Sequence, residues 1–322
     1  VIAVTGEALI DLVAGTGGQI TARPGGGPFN TARTIGRLGL SPVFLGRLSA
    51  DRFGRMLRAA MAADGVTPAV PEPADTPTTL AVVDVDPAGS PRYRFYLDGT
   101  SAPALEYPAL LGALPAGLTA LYAGGLALVM EPIASSIARL AASDLPPGAL
   151  LMVDPNCRPE VITDRRGYLA RLSAILRRAD VAKLSVEDLD YLTLGSAEPG
   201  AAARALLGQG PALVLLTDGP RPARAFLHDE VISAEVPAVT VADTVGAGDA
   251  FGGAFLAWWA GNGLAGPDLR RPGPVREALR AAAEVAALTC TRVGAEPPWL
   301  AEVAGLAGWR TSPGTGGTLA SG

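Results

Sequence analysis

Asp243-Thr-Val-Gly246-Ala-Gly248-Asp249-Ala-Phe-Gly-Gly-Ala-Phe-Leu256 holds the densest chemistry in this chain. A Gly-x-Gly turn opens directly into an apolar run whose spacing predicts a helix from Ala247 to Trp259. Free backbone N–H groups at a helix start, with small residues that allow close approach, form an anion site. Asp249 falls in the first turn, beside whatever anion binds there. A carboxylate in that place is electrostatically unfavourable unless it has work to do. Taking a proton from a hydroxyl that attacks a phosphoryl group is such work. A first-turn carboxylate that only complements the helix dipole is the plain alternative, and the loop alone fits both readings.

A second glycine-rich stretch, Gly25-Gly-Gly-Pro-Phe-Asn30-Thr-Ala32, precedes a predicted helix from Thr31 to Leu38 that ends at Gly39. Its glycines let backbone approach a ligand, and Asn30 offers both donor and acceptor. The alternative is a plain turn with Asn30 near the helix start. Around it, Val1–Gly6 and Val43–Leu48 read as strands, and Asp51 can cap a helix from Arg52 to Met61. This β-α-β-α alternation predicts a parallel sheet covered on both faces. Alternating residues in 79–86 and 92–97, joined by a turn at 87–91, predict a β-hairpin outside the main sheet. Strands are then expected at 120–123, 150–154, 181–184 and 212–217, and helices at 133–142, 168–179 and 201–207. A second hairpin is expected at 223–228 and 231–236, and a closing helix at 275–289. The Gly/Ser/Thr-rich stretch 311–322 is expected to be disordered.

Composition bounds the function. With 322 residues, 49% hydrophobic and 18% charged, the chain can bury a sizeable core as one large domain or two small ones. A net charge of -5 gives no footprint for nucleic acid or anionic membranes. The single histidine, His228, excludes multi-His zinc sites and reads as a surface residue. Cys157 and Cys290 make no disulfide framework and read as small fillers, so a reducing cytoplasm is the expected compartment. Trp258 and Trp259 read as core and rim. The opening residues carry no charged segment followed by an apolar stretch, so no secretory leader is expected in them. The apolar stretch Leu118–Met130 is too short and glycine-rich to span a bilayer. Of 26 basic residues only Lys183 is lysine, and lysine and arginine are not interchangeable.

Taken together, the two glycine motifs resemble the signatures of the PfkB carbohydrate kinase family, and the resemblance runs from Gly6-Glu7 to about Pro297. It implies a ribokinase-like α/β fold, a mostly parallel central sheet flanked by helices with a small β-sheet lid. The kinase domain would span 1–306, with lid strands from about 12–24 and 78–100, and 307–322 a disordered tail. The resemblance implies that Asp249 is the catalytic base and that Gly246, Ala247 and Gly248 form an anion hole. It implies sugar contacts from Asp11, Gly26, Gly27 and Asn30. Asp154-Pro-Asn-Cys-Arg158-Pro resembles a run in fructokinase-like members and makes Arg158 a candidate grip for phosphate or substrate. Lys183-Leu-Ser185-Val-Glu187-Asp188 resembles the segment that organises magnesium through water. Ser185 and Lys183 fall near the nucleotide there, and Asp188, or Glu187 as the shifted alternative, is the metal residue. The alternative is a helix cap at Ser185 followed by first-turn acids. Thr217 and Gly219 match a nucleotide loop whose last glycine is here Pro222, and Thr291–Ala295 resembles the segment beside the adenine.

The implied activity is transfer of the γ-phosphoryl group of ATP to a sugar hydroxyl, with Mg2+ and a monovalent cation (K+) near Asp243 as cofactors. Fructose is the expected sugar. A 2-keto-3-deoxygluconate kinase is the alternative, and a ribose or nucleoside kinase ranks below it. Relatives acting on the acidic sugar, and many fructokinases, carry Tyr-Arg on the lid, where this chain has Phe95-Tyr96-Leu97, leaving Arg92 or Arg94 to meet a carboxylate. The expected partners are the small-molecule sugar and ATP, with no nucleic acid, no membrane, and a homodimer formed through the lid. Two readings come from other classes. A non-catalytic sugar-binding regulator on the same fold is opposed by the retained Asp249 and Gly-Ala-Gly loop. A dinucleotide-dependent dehydrogenase is opposed by the glycine spacing.

Overall fold

The computed structural model describes residues 1–14, 18–85, 91–306 and Trp309. The predicted turn at 87–90 and the stretch 311–322 lie outside these residues. In chain order the strands and helices are β1 (Ile2–Thr5), β2 (Leu9–Ala14), β3 (Ile20–Gly25), α1 (Gly27–Arg37), β4 (Val43–Leu45), α2 (Arg52–Ala63), β5 (Thr67–Pro68), β6 (Leu80–Val85) and β7 (Pro91–Tyr96). They continue with α3 (Tyr107–Gly112), β8 (Ala120–Gly124), α4 (Ile133–Arg139), β9 (Leu150–Asp154), α5 (Arg165–Leu176), β10 (Val181–Ser185), α6 (Val186–Thr193), α7 (Pro199–Leu207) and β11 (Leu213–Asp218). Then come β12 (Arg221–Phe226), β13 (Val231–Ala234), α8 (Ala247–Gly261), α9 (Pro272–Thr289) and α10 (Leu300–Val303).

Among the described residues, nine strands form one sheet in the order β13-β12-β11-β10-β9-β8-β1-β4-β5, antiparallel only at β11-β12-β13. A four-stranded sheet in the order β3-β2-β6-β7 stands apart, with β2 and β6 parallel and both outer pairs antiparallel. Successive residues of the central strands feed opposite cores. Leu150 and Met152 pack with α1, α2, α8 and α9, whereas Leu151 and Val153 pack with α4, α5 and α7. The two-residue side-chain period of a strand covered on both faces requires this split. Every residue of α8 from Asp249 to Trp259 is buried, so this helix is apolar all round and central. Trp258 and Trp259 are therefore both core rather than core and rim, with Trp259 stacked on Phe255 at 5.5 Å between ring centroids.

α1 and α9, like α5 and α7, start earlier than their apolar spacing suggests. α1 begins at Gly27, and α9 at Pro272 rather than Val275. Both open on proline in the first turn, where the missing N–H is no loss and the fixed φ suits the helix. Asn30 thus lies inside α1, its N–H donating to the Gly26 carbonyl at 2.9 Å. The predicted helix 133–142 is regular only to Arg139 and continues as a π turn over Leu140–Asp144.

A buried ion cluster ties α1 to two other parts of the chain. Asp64, at the end of α2, accepts from Arg33 Nε at 2.5 Å and from Arg37 Nε at 2.9 Å. The same two guanidinium groups reach Glu296 at 3.2 and 2.6 Å, and Arg33 donates to the Ala295 carbonyl at 3.1 Å. Removing one member leaves buried charge uncompensated. Asp64→Ala should therefore cost about 3–5 kcal/mol of stability, read from urea unfolding, whereas Glu277→Ala on the exposed surface of α9 should stay within about 0.5 kcal/mol of the parent.

Candidate active site

The chain moves from β1 to β4 on one side and later to β8 on the other, so β1 marks the point where the strand order reverses. Open α/β sheets bind ligands beyond the carboxyl ends of the strands at such a point. A cleft of about 840 Å³ lies there. Glu7, Gly125, Asn156, Arg158 and Lys183 come to it from the ends of β1, β8, β9 and β10, and the loops 241–249 and 293–295 supply another wall. Alternate residues of the small sheet, Leu9, Asp11 and Val13 with Val83, Tyr93 and Phe95, face it from the opposite side.

Asp249 sits on the floor of this cleft, 8% exposed, with Oδ2 accepting from Asn30 Nδ2 at 2.9 Å. Burial raises its pKa, opposed by the Asn30 hydrogen bond and the charges of Lys183 and Arg158. Gly246 caps α8 with φ 79°, in the left-handed region, and a Cβ there would stand 2.5 Å from that of Ala295. Only glycine lets the closing segment lie this close. The Ala247 amide turns back to the Thr244 carbonyl at 3.2 Å. It is therefore not a free anion donor, which corrects its expected share in the anion hole. The amides of Gly246 and Gly248 carry no such bond among the described residues.

Asp11, Gly26, Gly27, Asn30 and Arg158 all line the cleft. Burial and the charge of Asp249 push the Asp11 carboxyl up to about 6, with Arg23 pulling the other way. Arg94 does not line it. It is exposed, on the face of β7 opposite Tyr93 and Phe95, because a strand sends successive side chains to opposite sides. Among the described side chains of the small sheet, the cation in the cleft is instead Arg23, which stands opposite Asp11 in the β2–β3 register. Ser185 and Asp188 form the capping box of α6. Asp188 Oδ1 takes the Cys157 N–H at 2.6 Å, and Oδ2 takes the Ser185 N–H and hydroxyl at 2.8 and 2.9 Å. Glu187 is exposed. Thr217 lies beside Ser185 at the same sheet edge, and Gly219 lies in the turn that follows, both outside the cleft lining. His228 is exposed and Cys157 buried as expected.

Glu7 was not expected as a site residue, although it follows the first strand directly. Its Oε1 accepts from the Gly27 N–H at 3.2 Å and its Oε2 from the Ala127 N–H at 3.1 Å. One carboxylate thus pins the Gly26–Gly27 loop to the turn after β8. Burial pushes it up to about 7 despite those amides. The only sequence signal was an acid after an apolar strand, which is too common to single out. Asn156, with φ 42°, was inside a quoted motif and also lines the cleft.

The chain matches the pfkB family carbohydrate kinase family over residues 1–302. It is 33% identical to a fructokinase of Rhizobium leguminosarum bv. trifolii over 256 residues, 78% of this chain and 77% of that protein. Its fold is similar to that of a fructokinase from Xylella fastidiosa with bound ATP, with a TM-score of 0.83 and 28% identity over 94% of this chain and 97% of the other. A fructokinase double mutant from Vibrio cholerae O395, bound to fructose, ADP and a potassium ion, gives a TM-score of 0.79 and 27% identity over 91% and 93% of the two chains.

Glu7, Asp11 and Asp154 share raised carboxyl pKa values, about 7, 6 and 6. Each binds its proton more tightly in the fold than in the unfolded chain, so its stabilising contribution is present at low pH and lost as pH rises through those values. Between about pH 8 and about pH 6 the thermal midpoint should therefore rise as pH falls. Because burial raises the Asp249 pKa, kcat/KM should fall toward acid pH as that carboxylate takes up its proton. Parallel melts and initial rates read both trends, and Glu7→Gln should flatten part of the melting trend.

Proposed function

The chain belongs to the pfkB family of carbohydrate kinases and is an ATP-dependent sugar kinase, and from that premise we propose that it phosphorylates fructose. One observation carries the reading: Asp249, held by Asn30 at 2.9 Å, opens α8 on the floor of a cleft that Asp11 enters from the small sheet. The fructokinases among its relatives support the choice of sugar. So does the lid wall, where Val83, Tyr93 and Phe95 face the cleft and Arg94 does not. Among the described side chains of β7 a carboxylate-bearing sugar finds no partner, which disfavours 2-keto-3-deoxygluconate. A binding-only role leaves the buried, raised Asp249 without purpose.

In this reading Asp11 and Asn30 orient the sugar hydroxyls, and the Gly26–Gly27 backbone shapes the pocket. Asp249 accepts the proton of the attacking hydroxyl as its oxygen closes on the γ-phosphorus in line. The Gly246 and Gly248 amides meet the charge that develops on the phosphoryl oxygens. Arg158, half-buried beside them, suits a phosphate contact. The nucleotide lies along the sheet edge toward Ser185, Thr217 and Gly219, with 293–295 at its side. Closure of the small sheet over the sugar excludes water and limits ATP hydrolysis.

Magnesium accompanies ATP in this scheme. Three of the roughly four lone-pair sites of the Asp188 carboxylate already accept protein donors. Asp188 therefore fits a cation carried by the phosphates and reached through one water, with Glu187 exposed nearby, as suits magnesium. The bound ion would neutralise phosphate charge. Asp243, whose oxygens accept from the Val245 and Gly294 amides, holds together the loops beside which potassium would sit. Exposed Ile20 and Tyr96 on the small sheet support a homodimer through the lid, and the free thiols suit a cytoplasmic enzyme. Among the described residues no helix is long and apolar enough to cross a membrane.

ADP release with MgATP against fructose, 2-keto-3-deoxygluconate, ribose and adenosine tests the reading. Turnover should be greatest on fructose and higher in potassium than in choline chloride. Asp249→Asn should lower kcat by about 10²–10⁴-fold. Turnover on another sugar, or an active Asp249→Asn variant, would sink it.

A further inference from the structure

Lys183 is the only lysine of the chain, and its side chain, 5% exposed, ends in the wall of the cleft. Its ammonium donates to Asp154 Oδ2 at 3.0 Å, and no other acceptor among the described residues takes its remaining N–H groups. Asp154 is fully buried. Its Oδ2 also accepts from the Tyr122 hydroxyl at 3.0 Å, and its Oδ1 has no partner. The ammonium lies 3.0 Å from where a Cβ on Gly248 would stand. It therefore rests against the first turn of α8.

A cation at the positive end of a helix is unfavourable while nothing lies between them. Asp154 offsets only part of that, since its Oδ2 is shared between Lys183 and the Tyr122 hydroxyl. An anion that enters the cleft satisfies both the helix start and the unfilled ammonium donors. We propose that Lys183 is a catalytic residue that binds the phosphoryl group in transfer, rather than a contact to the nucleotide alone. This rests on the kinase reading above. As the sugar oxygen bonds to the γ-phosphorus and the bond to the β–γ bridging oxygen breaks, the hydroxyl proton passes to Asp249. Lys183 keeps its own proton throughout and neutralises charge on the equatorial oxygens. Burial works against that charge, but Asp154, Asp188 and Asp249 outweigh it and hold the lysine pKa above its ordinary value. A compact ammonium fits against Gly248, where the broader planar fork of arginine would need more room.

The test compares wild type, Lys183→Met and the double variant Lys183→Met/Asp154→Asn. Lys183→Met should lower kcat by about 10²–10³-fold, with KM for fructose little changed. It should also lose binding of MgADP–aluminium fluoride in the presence of fructose, while a non-hydrolysable ATP analogue still binds. Because the single variant leaves Asp154 buried without its partner, its melting temperature should fall, and the double variant should recover it without recovering kcat. Undiminished kcat in Lys183→Met would overturn the proposal. Recovery of kcat with stability in the double variant, or equal loss of both nucleotide complexes, would do the same. A wild type that phosphorylates no sugar would remove the kinase reading itself, a result distinct from any of these.

Discussion

The cleft depends on the hydrogen bond that Asn30 donates to Asp249 across 2.9 Å, between residues 219 apart in the chain. It forms only because α1 and α8 cross closely. Thr31 Oγ1 donates to the Asp249 carbonyl at 3.3 Å, and a Cβ on Gly253 would stand 2.8 Å from the Thr31 carbonyl. That crossing brings the two glycine loops to face each other. The ion cluster of Arg33, Arg37, Asp64 and Glu296 then draws the closing segment onto Gly246. Charges remote from the chemistry thus set the width of the anion site, and the cleft inherits its shape from helix packing rather than from its own contacts.

Four carboxylates, the buried Glu7, Asp154 and Asp249 and the half-buried Asp11, crowd this space, and Asp249 repels each of the others. Each is offset differently: Glu7 by two backbone amides, Asp11 by Arg23, Asp154 by Lys183 and Tyr122, Asp249 by Asn30. Burial outweighs these partners at all four, so every one of them holds a proton more tightly than in water. For a general base this is useful, since a carboxylate with a raised pKa accepts a proton more readily. For the fold it is a standing penalty at neutral pH. Such a conflict between stability and chemistry is expected where function, not folding, chooses the residues.

The sequence made the fold and the centre of the site legible because both rest on local signals. Strand and helix alternation announces the layered sheet, and a Gly-x-Gly turn before an apolar helix announces an anion site whether or not its partners are known. Asp11, Asn30 and Arg158 were readable for a different reason: they lie inside motifs with a recognisable family pattern. Glu7 was not, because its role exists only once β8 has brought Ala127 beside it. Arg23 was missed because its partner Asp11 faces it through a register that hydrophobic spacing does not fix. The Ala247 amide looked free because the turn that occupies it, back to Thr244, leaves no trace in residue type.

Arg94 and Arg23 together show how a two-residue period sorts substrates. On β7, Tyr93 and Phe95 occupy the inward positions, stacked with their centroids 5.9 Å apart, so the intervening arginine must face out. A one-residue slip of that strand would turn Arg94 inward and make the lid cationic. The register Val83–Tyr93 and Val82–Arg94 fixes it as it stands. Among the described side chains of the small sheet, the positive charge on the cleft side, Arg23, comes from β3 and stands opposite Asp11 in the register. An apolar, aromatic wall with one balanced pair suits stacking on a sugar face and reading of hydroxyls. A sugar carboxylate on this side would meet the repulsion of Asp11 as well as the attraction of Arg23. The pairing across β2 and β3, more than any single contact, is what tilts this cleft toward a neutral sugar.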